Sequence, residues 1–337
     1  MSATIAGAAA QKPALEFRPV ANWGLIPHGI TFYGDATSVA IDSKNLVYVF
    51  NRGPVPVVVL DSAGNYVEGW GAGEFGVPER DAQGPAILAG PHGISVDPED
   101  NLLLVDVASH VVEKWTTGGR MLLRIGNRHQ PSEAGSGEPF NRPTDAVMHP
   151  KTGDIFVSDG YRNYRVHRYD SDGKHITSWG TSGTRPGQFN TPHGLVVLED
   201  DRVFVCDREN FRVQVFTTAG EFVQQWHCYR PSAIRAHGGL LYVAEGGARS
   251  YFGGLPNLGH AVSIFDFDGQ FLTRFGAPDP GQGPGQFIAP HGIALDAHGN
   301  VYVAEVSASY LKGQSGPFPR GEITSLRKWS LTEAAAR

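Results

Sequence analysis

The sequence predicts an all-β fold, a six-bladed β-propeller with four-stranded blades. Three observations carry that reading. A four-strand unit recurs six times, at intervals that average about fifty residues. The 43 glycines and 23 prolines are spread along the chain rather than clustered, which suits many tight turns between short strands. One tripeptide, Pro-His-Gly, opens alternate units at Pro91-His92-Gly93, Pro192-His193-Gly194 and Pro290-His291-Gly292. A linear solenoid of strands is the rival. It is disfavoured because the unit is a meander of alternating strands and no atypical capping repeat is present.

Taken in order, residues 1–16 read as a flexible leader and 17–30 as an extended approach to the first unit. That unit opens with an apolar strand ending at an acid and a turn, Ser38-Val39-Ala40-Ile41-Asp42-Ser43-Lys44-Asn45. A second strand follows, Leu46-Val47-Tyr48-Val49, then a polar loop and a third strand, Val57-Val58-Val59-Leu60. The turn Ser62-Ala63-Gly64 leads to a fourth strand ending at Trp70-Gly71. Second strands return at 102–105, 154–157, 202–205, 240–243 and 300–303, and third strands at 166–169, 213–216 and 261–265. The hairpin turns Thr117-Gly118-Gly119, Ser171-Asp172-Gly173, Thr218-Ala219-Gly220 and Phe267-Asp268-Gly269 each supply glycine where a tight turn needs positive φ. To close the ring, either residues 17–20 or the stretch Thr324-Ser325-Leu326-Arg327-Lys328-Trp329 completes a shared blade. Residues 17–330 are read as a single propeller domain, and 331–337 as a tail that forms a frayed helix.

At 337 residues the chain is long enough to bury a sizeable core. A net charge of −6 with no basic stripe argues against nucleic acid as a partner. No stretch approaches the apolar length of a membrane span, and the N-terminal residues lack the basic start and long apolar run of a signal peptide, so a cytoplasmic location is expected. Two cysteines, Cys206 and Cys228, make no disulfide framework and are expected as reduced, inert thiols.

Aligned five residues before the first-strand acid, the six units carry Thr37, His92, Thr144, His193, Ser232 and His291, at intervals of 55, 52, 49, 39 and 59 residues. First strands of propeller blades line the central channel, and successive blades are turned by about 60°. Alternation therefore places the three histidines about 120° apart at one height. Three inward imidazoles can hold a divalent cation and leave a position open, as catalytic zinc sites do, with iron or manganese as alternatives. A fourth copy, Pro27-His28-Gly29, precedes the first unit and falls outside the register. It is assigned to the approach loop, and His110, His129, His149, His167, His175, His227, His237, His260 and His298 to loops or surface.

The loops after the second strands should open on the histidine face. They read Asn51-Arg52-Gly53, Asp106-Val107-Ala108-Ser109-His110, Ser158-Asp159-Gly160-Tyr161, Asp207-Arg208-Glu209-Asn210, Glu245-Gly246-Gly247 and Glu305-Val306-Ser307. Arg52 and Arg208 are suited to clamp a carboxylate or a developing oxyanion, and Tyr161 to act as a base. Asp159 and Asp207 are expected to hold their loops by local hydrogen bonds.

At these residues the chain resembles peptidyl-α-hydroxyglycine α-amidating lyase, an NHL-repeat propeller, over roughly residues 20–330. The resemblance is strongest from Pro143-Thr144-Asp145 to Asn210. It implies zinc on His92, His193 and His291, a catalytic role for Tyr161 and Arg52, and substrate binding by Arg208. It implies a reaction in which an N-acyl carbinolamine, R-CO-NH-CH(OH)-COOH, splits into an amide and glyoxylate. The family's acid after the third histidine, which helps to hold a structural calcium, is Gly292 here, and the family's disulfides have no counterpart. With neither a secretion signal nor a fused hydroxylating domain read in the sequence, a relative acting on a small molecule, by lysis, hydrolysis or hydration, is expected. The competing readings are a metal-dependent hydrolase or hydratase of the lactonase-like propeller kind, and a non-catalytic NHL binding scaffold.

Overall fold

The computed structural model describes residues 15–24, 26–76, 90–136, 139–247, 258–313 and 323–332. Nearly all of its regular structure is strand. Among the described residues six antiparallel four-stranded sheets form the ring of a six-bladed β-propeller. Blade one is Ala36–Ile41, Val47–Asn51, Val57–Leu60 and Tyr66–Trp70. Blade two is Pro91–Val96, Asn101–Asp106, Val111–Thr116 and Met121–Ile125. Blade three is Asp145–Met148, Ile155–Asp159, Arg165–Tyr169 and His175–Trp179. Blade four is Pro192–Val197, Arg202–Asp207, Arg212–Thr217 and Phe222–His227. Blade five is Pro231–His237, Leu240–Glu245, Ala261–Asp266 and Phe271–Phe275. Blade six is Pro290–Leu295, Val301–Glu305 and Leu326–Thr332, with Glu16–Pro19 as its outer strand.

Both chain ends thus share one blade, Phe17 lying opposite Leu331 and Pro19 opposite Trp329. The frayed helix expected from residue 331 gives way to strand through Thr332, and residues 333–337 lie outside the described set. The leader likewise ends sooner, because Glu16 already pairs with Thr332. Hydrogen-bonding partners supplied by the opposite end of the chain decide both boundaries, and no local signal carries that information.

The second strands read as unbroken apolar runs because both of their faces are covered. In blade two Leu102 and Leu104 pack towards blade one, while Leu103 and Val105 pack towards blade three. One such core lies between each pair of neighbouring blades, and the core that joins Ala294, Tyr302 and Ala304 to Val39, Val47 and Val58 shuts the ring. The recurring Trp and the recurring turn glycine also serve each other. A Cβ on Gly119, Gly220 or Gly269 would lie 3.2, 2.8 or 2.5 Å from the indole of Trp70, Trp179 or Trp226 in the preceding blade. Those glycines hold positive φ and leave room for the indole at once.

Candidate active site

Each channel histidine is held by the next blade. His92 Nδ1 lies 2.6 Å from the carbonyl oxygen of Thr144, His193 Nδ1 2.6 Å from that of Ser232, and His291 Nδ1 2.7 Å from that of Thr37. The alternating ring of the sequence is therefore a ring of donors and acceptors. A carbonyl can only accept, so Nδ1 carries the proton in all three and Nε2 keeps its lone pair. The glycine of each Pro-His-Gly makes the reach short enough. A Cβ on Gly93 would lie 2.8 Å from the Thr144 carbonyl oxygen, one on Gly194 2.6 Å from Ala233 Cα, and one on Gly292 2.4 Å from Ser38 Cα.

The three imidazoles form a near-equilateral triangle, with ring centroids 4.9, 4.8 and 4.7 Å apart, and their ligating nitrogens lie within 4.8 Å of one another. All three are buried. Burial pushes their pKa values down, His92 and His193 well below the ordinary histidine range and His291 to about 3. The neighbouring histidines and the guanidiniums of Arg52 and Arg208 push the same way. Tyr161 reaches in from blade three, its hydroxyl 3.1 Å from His92 Nε2 and 3.2 Å from His193 Nε2.

This donor set fits a divalent metal. Three neutral Nε2 lone pairs face one point, and Tyr161, the one donor among the described residues at hydrogen-bond distance from them, has a single proton to give. At least two of the three lone pairs therefore lack a donor among the described residues, a deficit that a cation would remove.

Above the triangle lies a cavity of about 520 Å³. Each of the six loops after the second strands reaches it, through Arg52, Ala108, Tyr161, Arg208, Gly247 and Val306. Arg52 is fixed by Asp35 Oδ2 at 3.1 Å and Ser309 Oγ at 2.8 Å. Arg208 bonds Glu209 at 3.0 Å, and its guanidinium carbon stands 5.5 Å from the centre of the Tyr161 ring. Burial works against the charge of Arg208, but the oxygens of Tyr161 and Glu209 outweigh it and raise its pKa. The carboxylates of the same loops are spent on structure: Asp159 accepts from Asn141 N and Asn163, and Asp207 from Asn190 N, Asn210 and Arg212.

Below the triangle, Arg235 fills the channel. Its guanidinium donates to Asp145 at 3.0 Å and to the carbonyls of Leu195 and Ile94, each at 3.2 Å. These carbonyls belong to the residues two beyond His193 and His92. With Gly292 packed on Ser38 there is no space for an acid there, and the inward carbonyls already have a resident cation in Arg235.

Several residues at the mouth were not singled out in the sequence. Arg142 and Arg230 stand two positions before Thr144 and Ser232, so the register that found the histidines also carries these two to the cavity. Arg162 follows Tyr161, and Tyr310 and Ser309 come from a short helix, Ser307–Lys312, where only a loop was expected. His28 is exposed in the approach loop. Four histidines assigned to loops or surface are in fact buried: His110 accepts from Arg142 N, His149 meets Asp201, His167 meets Ser178, and His260 meets the carbonyl of Ile288. Cys206 and Cys228 are buried, free thiols, which burial pushes up and so keeps protonated.

The NHL-repeat family profile matches residues 189–216, the inner three strands of blade four. Over 301 residues the chain is 33% identical to peptidylglycine alpha-amidating monooxygenase of Rattus norvegicus, an alignment covering 81% of this chain and 29% of that protein. It is 32% identical over 298 residues to peptidyl-alpha-hydroxyglycine alpha-amidating lyase 1 of Drosophila melanogaster, covering 79% of this chain and 50% of the fly protein. The chain is an NHL-repeat propeller homologous to the α-amidating lyases. The homologue spans half or less of the length of these two relatives. Its fold also matches a solved streptogramin B lyase, with a TM-score of 0.58 at 14% identity over 96% of this chain and all of that one. No helix among the described residues of the homologue is long and apolar enough to cross a membrane.

Proposed function

We propose that the chain is a lyase that splits the C–N bond of an N-acyl carbinolamine of the α-hydroxyglycine type, releasing an amide and glyoxylate. The observation that carries the reading is the Tyr161 hydroxyl, set between His92 Nε2 and His193 Nε2 under an arginine-lined cavity, in a chain homologous to named amidating lyases. A divalent metal, zinc before iron or manganese, would be held by His92, His193 and His291 and would supply a Lewis acid that acidifies a hydroxyl group.

The chain's own residues account for the rest. Arg52 and Arg208 orient the substrate carboxylate, so that its neighbouring hydroxyl enters the gap beside Tyr161. Tyr161 acts here in its phenolate form, its own proton having left, and its oxygen takes the hydroxyl proton. The O–H electrons form the aldehyde C=O as the C–N pair leaves with the amide nitrogen, and the proton returns to that nitrogen. Atoms and charge balance without a co-reactant, and water is not consumed. Arg235 blocks the far side of the channel, so substrate and both products use the arginine-lined mouth. The hydrolase alternative gains nothing from the site, since the channel position of every blade is His, Thr or Ser.

The test is incubation of the purified protein with N-acyl-α-hydroxyglycines, followed by quantification of both products. Equal amounts of primary amide and glyoxylate are expected. Release of a carboxylic acid in place of the amide, or no turnover of any such compound, refutes the lyase reading.

A further inference from the structure

The cavity carries more positive charge than a one-carboxylate substrate can use. Five guanidiniums line it, from Arg52, Arg142, Arg162, Arg208 and Arg230, and no Asp or Glu among the described residues does. Two carboxylates stand behind them. Asp35 pairs with Arg52 at 3.1 Å, and Glu209 is shared by Arg208 at 3.0 Å and Arg230 at 2.9 Å. The side chains of Arg142 and Arg162 have no ion pair among the described residues. Among the described residues, five guanidiniums against two carboxylates leave an excess of three positive charges, in a chain whose net charge is −6. A bound divalent metal would widen that excess.

Hydrogen-bond capacity is in surplus as well. Arg52 Nε and Arg230 Nε are buried without a hydrogen-bond partner, an arrangement that is costly unless a ligand completes it. Arg142 and Arg230 also hold positive φ, at 67° and 37°. Residues with a Cβ avoid that region unless their surroundings impose it. At Arg142 two bonds impose it: its N–H donates to His110 Nδ1, and its carbonyl accepts the N–H of Tyr161. Arg142 is thereby fixed beside the Tyr161 loop with its guanidinium unspent.

We infer that the substrate is at least a dianion: an N-acyl-α-hydroxyglycine whose acyl part bears a second carboxylate, which Arg142 and Arg162 receive while Arg52 and Arg208 hold the first. The inference deepens the lyase reading, and rests on it for the carbinolamine half alone. The charge argument for two acids stands on the cavity.

The experiment measures binding and turnover separately. Calorimetric titration uses two stable analogues that lack the hydroxyl, N-acetylglycine with one acid and N-succinylglycine with two. The wild type is compared with Arg142→Gln/Arg162→Gln, and with Arg162→Gln alone in case the pair lowers the melting temperature. The diacid is expected to bind the wild type roughly tenfold tighter at low salt, with an advantage that shrinks as salt rises and falls to about twofold or less in the double variant. Equal affinities, binding of neither analogue, or a preference that survives in the double variant overturn the inference. Turnover of the two α-hydroxy counterparts then separates the claims. If the diacid binds better and neither is split, the second acid stands and the lyase reading falls. If both are split with equal kcat/KM, the lyase reading stands and the second acid falls.

Discussion

His92 and Thr144 sit in neighbouring blades, and the imidazole of one gives its Nδ1 proton to the carbonyl of the other at 2.6 Å. Two equivalent bonds turn His193 and His291 the same way. Orientation of a ligating histidine through its second nitrogen is how metal sites fix tautomer and aim. One ligand out of three should therefore be indispensable. His193→Ala is expected to drop the metal content from about one ion per chain to near zero. Thr144→Val loses only the side-chain hydroxyl, whose partners are Ser158 and the carbonyl of Pro192, and keeps the carbonyl that holds His92. It should retain the metal and lose about 1 kcal/mol of stability. Elemental analysis of the three proteins decides the matter, and equal metal in wild type and His193→Ala would refute the site.

Tyr161→Phe removes one oxygen from a gap between two imidazole nitrogens and leaves the ring under Arg208. The variant should bind metal as the wild type does and lose about 10²–10⁴ in kcat, the usual worth of a positioned proton acceptor. KM should change little, because Arg208 keeps its bond to Glu209 and Arg52 its bonds to Asp35 and Ser309. Unchanged kcat counts against Tyr161 as the base.

The blade count, the histidine register and the loop face were legible because each is a local pattern repeated six times. What escaped depends on contacts distant in sequence. Buried His149 finds its partner in Asp201, and buried His260 in the carbonyl of Ile288 and the ring of Tyr310. The helix Ser307–Lys312 has Val306 at its N-cap with no side-chain capping bond, so no start signal precedes it. Arg142 and Arg230 were within reach of the register, but at the position two before the channel residue, where the sequence shows no repeated tripeptide to draw the eye.

Protonation of the triangle should unfold the metal-free protein. Burial holds His291 at about 3 in the folded state, against an ordinary value of 6.5. Between those values the unfolded chain binds the proton and the folded chain does not, so stability rises with pH. The contribution is complete above about pH 6.5 and is lost progressively as pH falls towards 3. Asp207, Glu245 and Glu305, raised by burial, act in the opposite sense, so a difference between proteins is the safer readout. In chelator-treated protein, His291→Gln should flatten the dependence of unfolding free energy on pH between 4 and 6 by about 1.4 kcal/mol per pH unit. Parallel curves for wild type and variant would show that His291 does not titrate on unfolding.

Arg235 should make the channel independent of calcium. It supplies positive charge to Asp145 and to the carbonyls of Ile94 and Leu195. Arg235→Met leaves that buried carboxylate without its ion partner, with only the N–H groups of Ala146 and Leu195 among the described residues to meet it, at a cost of about 3–5 kcal/mol. Denaturant titration measures it, and a calcium-selective chelator should leave the wild-type midpoint in place. A midpoint that falls with the chelator would mean that a cation besides Arg235 supports the channel.

Gly292 ties these features together, and Gly292→Ala tests the tie. An added methyl would lie 2.4 Å from Ser38 Cα and 2.7 Å from Ser38 Oγ, so blades six and one must part. Overpacking of a close contact costs about 1–3 kcal/mol. The larger consequence should be at the metal. The same two strands carry the bond from His291 to the Thr37 carbonyl, and parting them lengthens it and turns the imidazole. Loss of an outer-shell partner of this kind lowers metal affinity about 10–100-fold. Competition with a chromophoric chelator reads that affinity directly, and Gly299→Ala is the control, because it stands at a positive-φ turn in the same blade, outside the triangle. Equal metal affinity in both variants would break the link between the tripeptide's glycine and its histidine. A loss confined to Gly292→Ala would explain why Pro-His-Gly recurs as a unit, since the glycine brings the next blade within reach of the histidine.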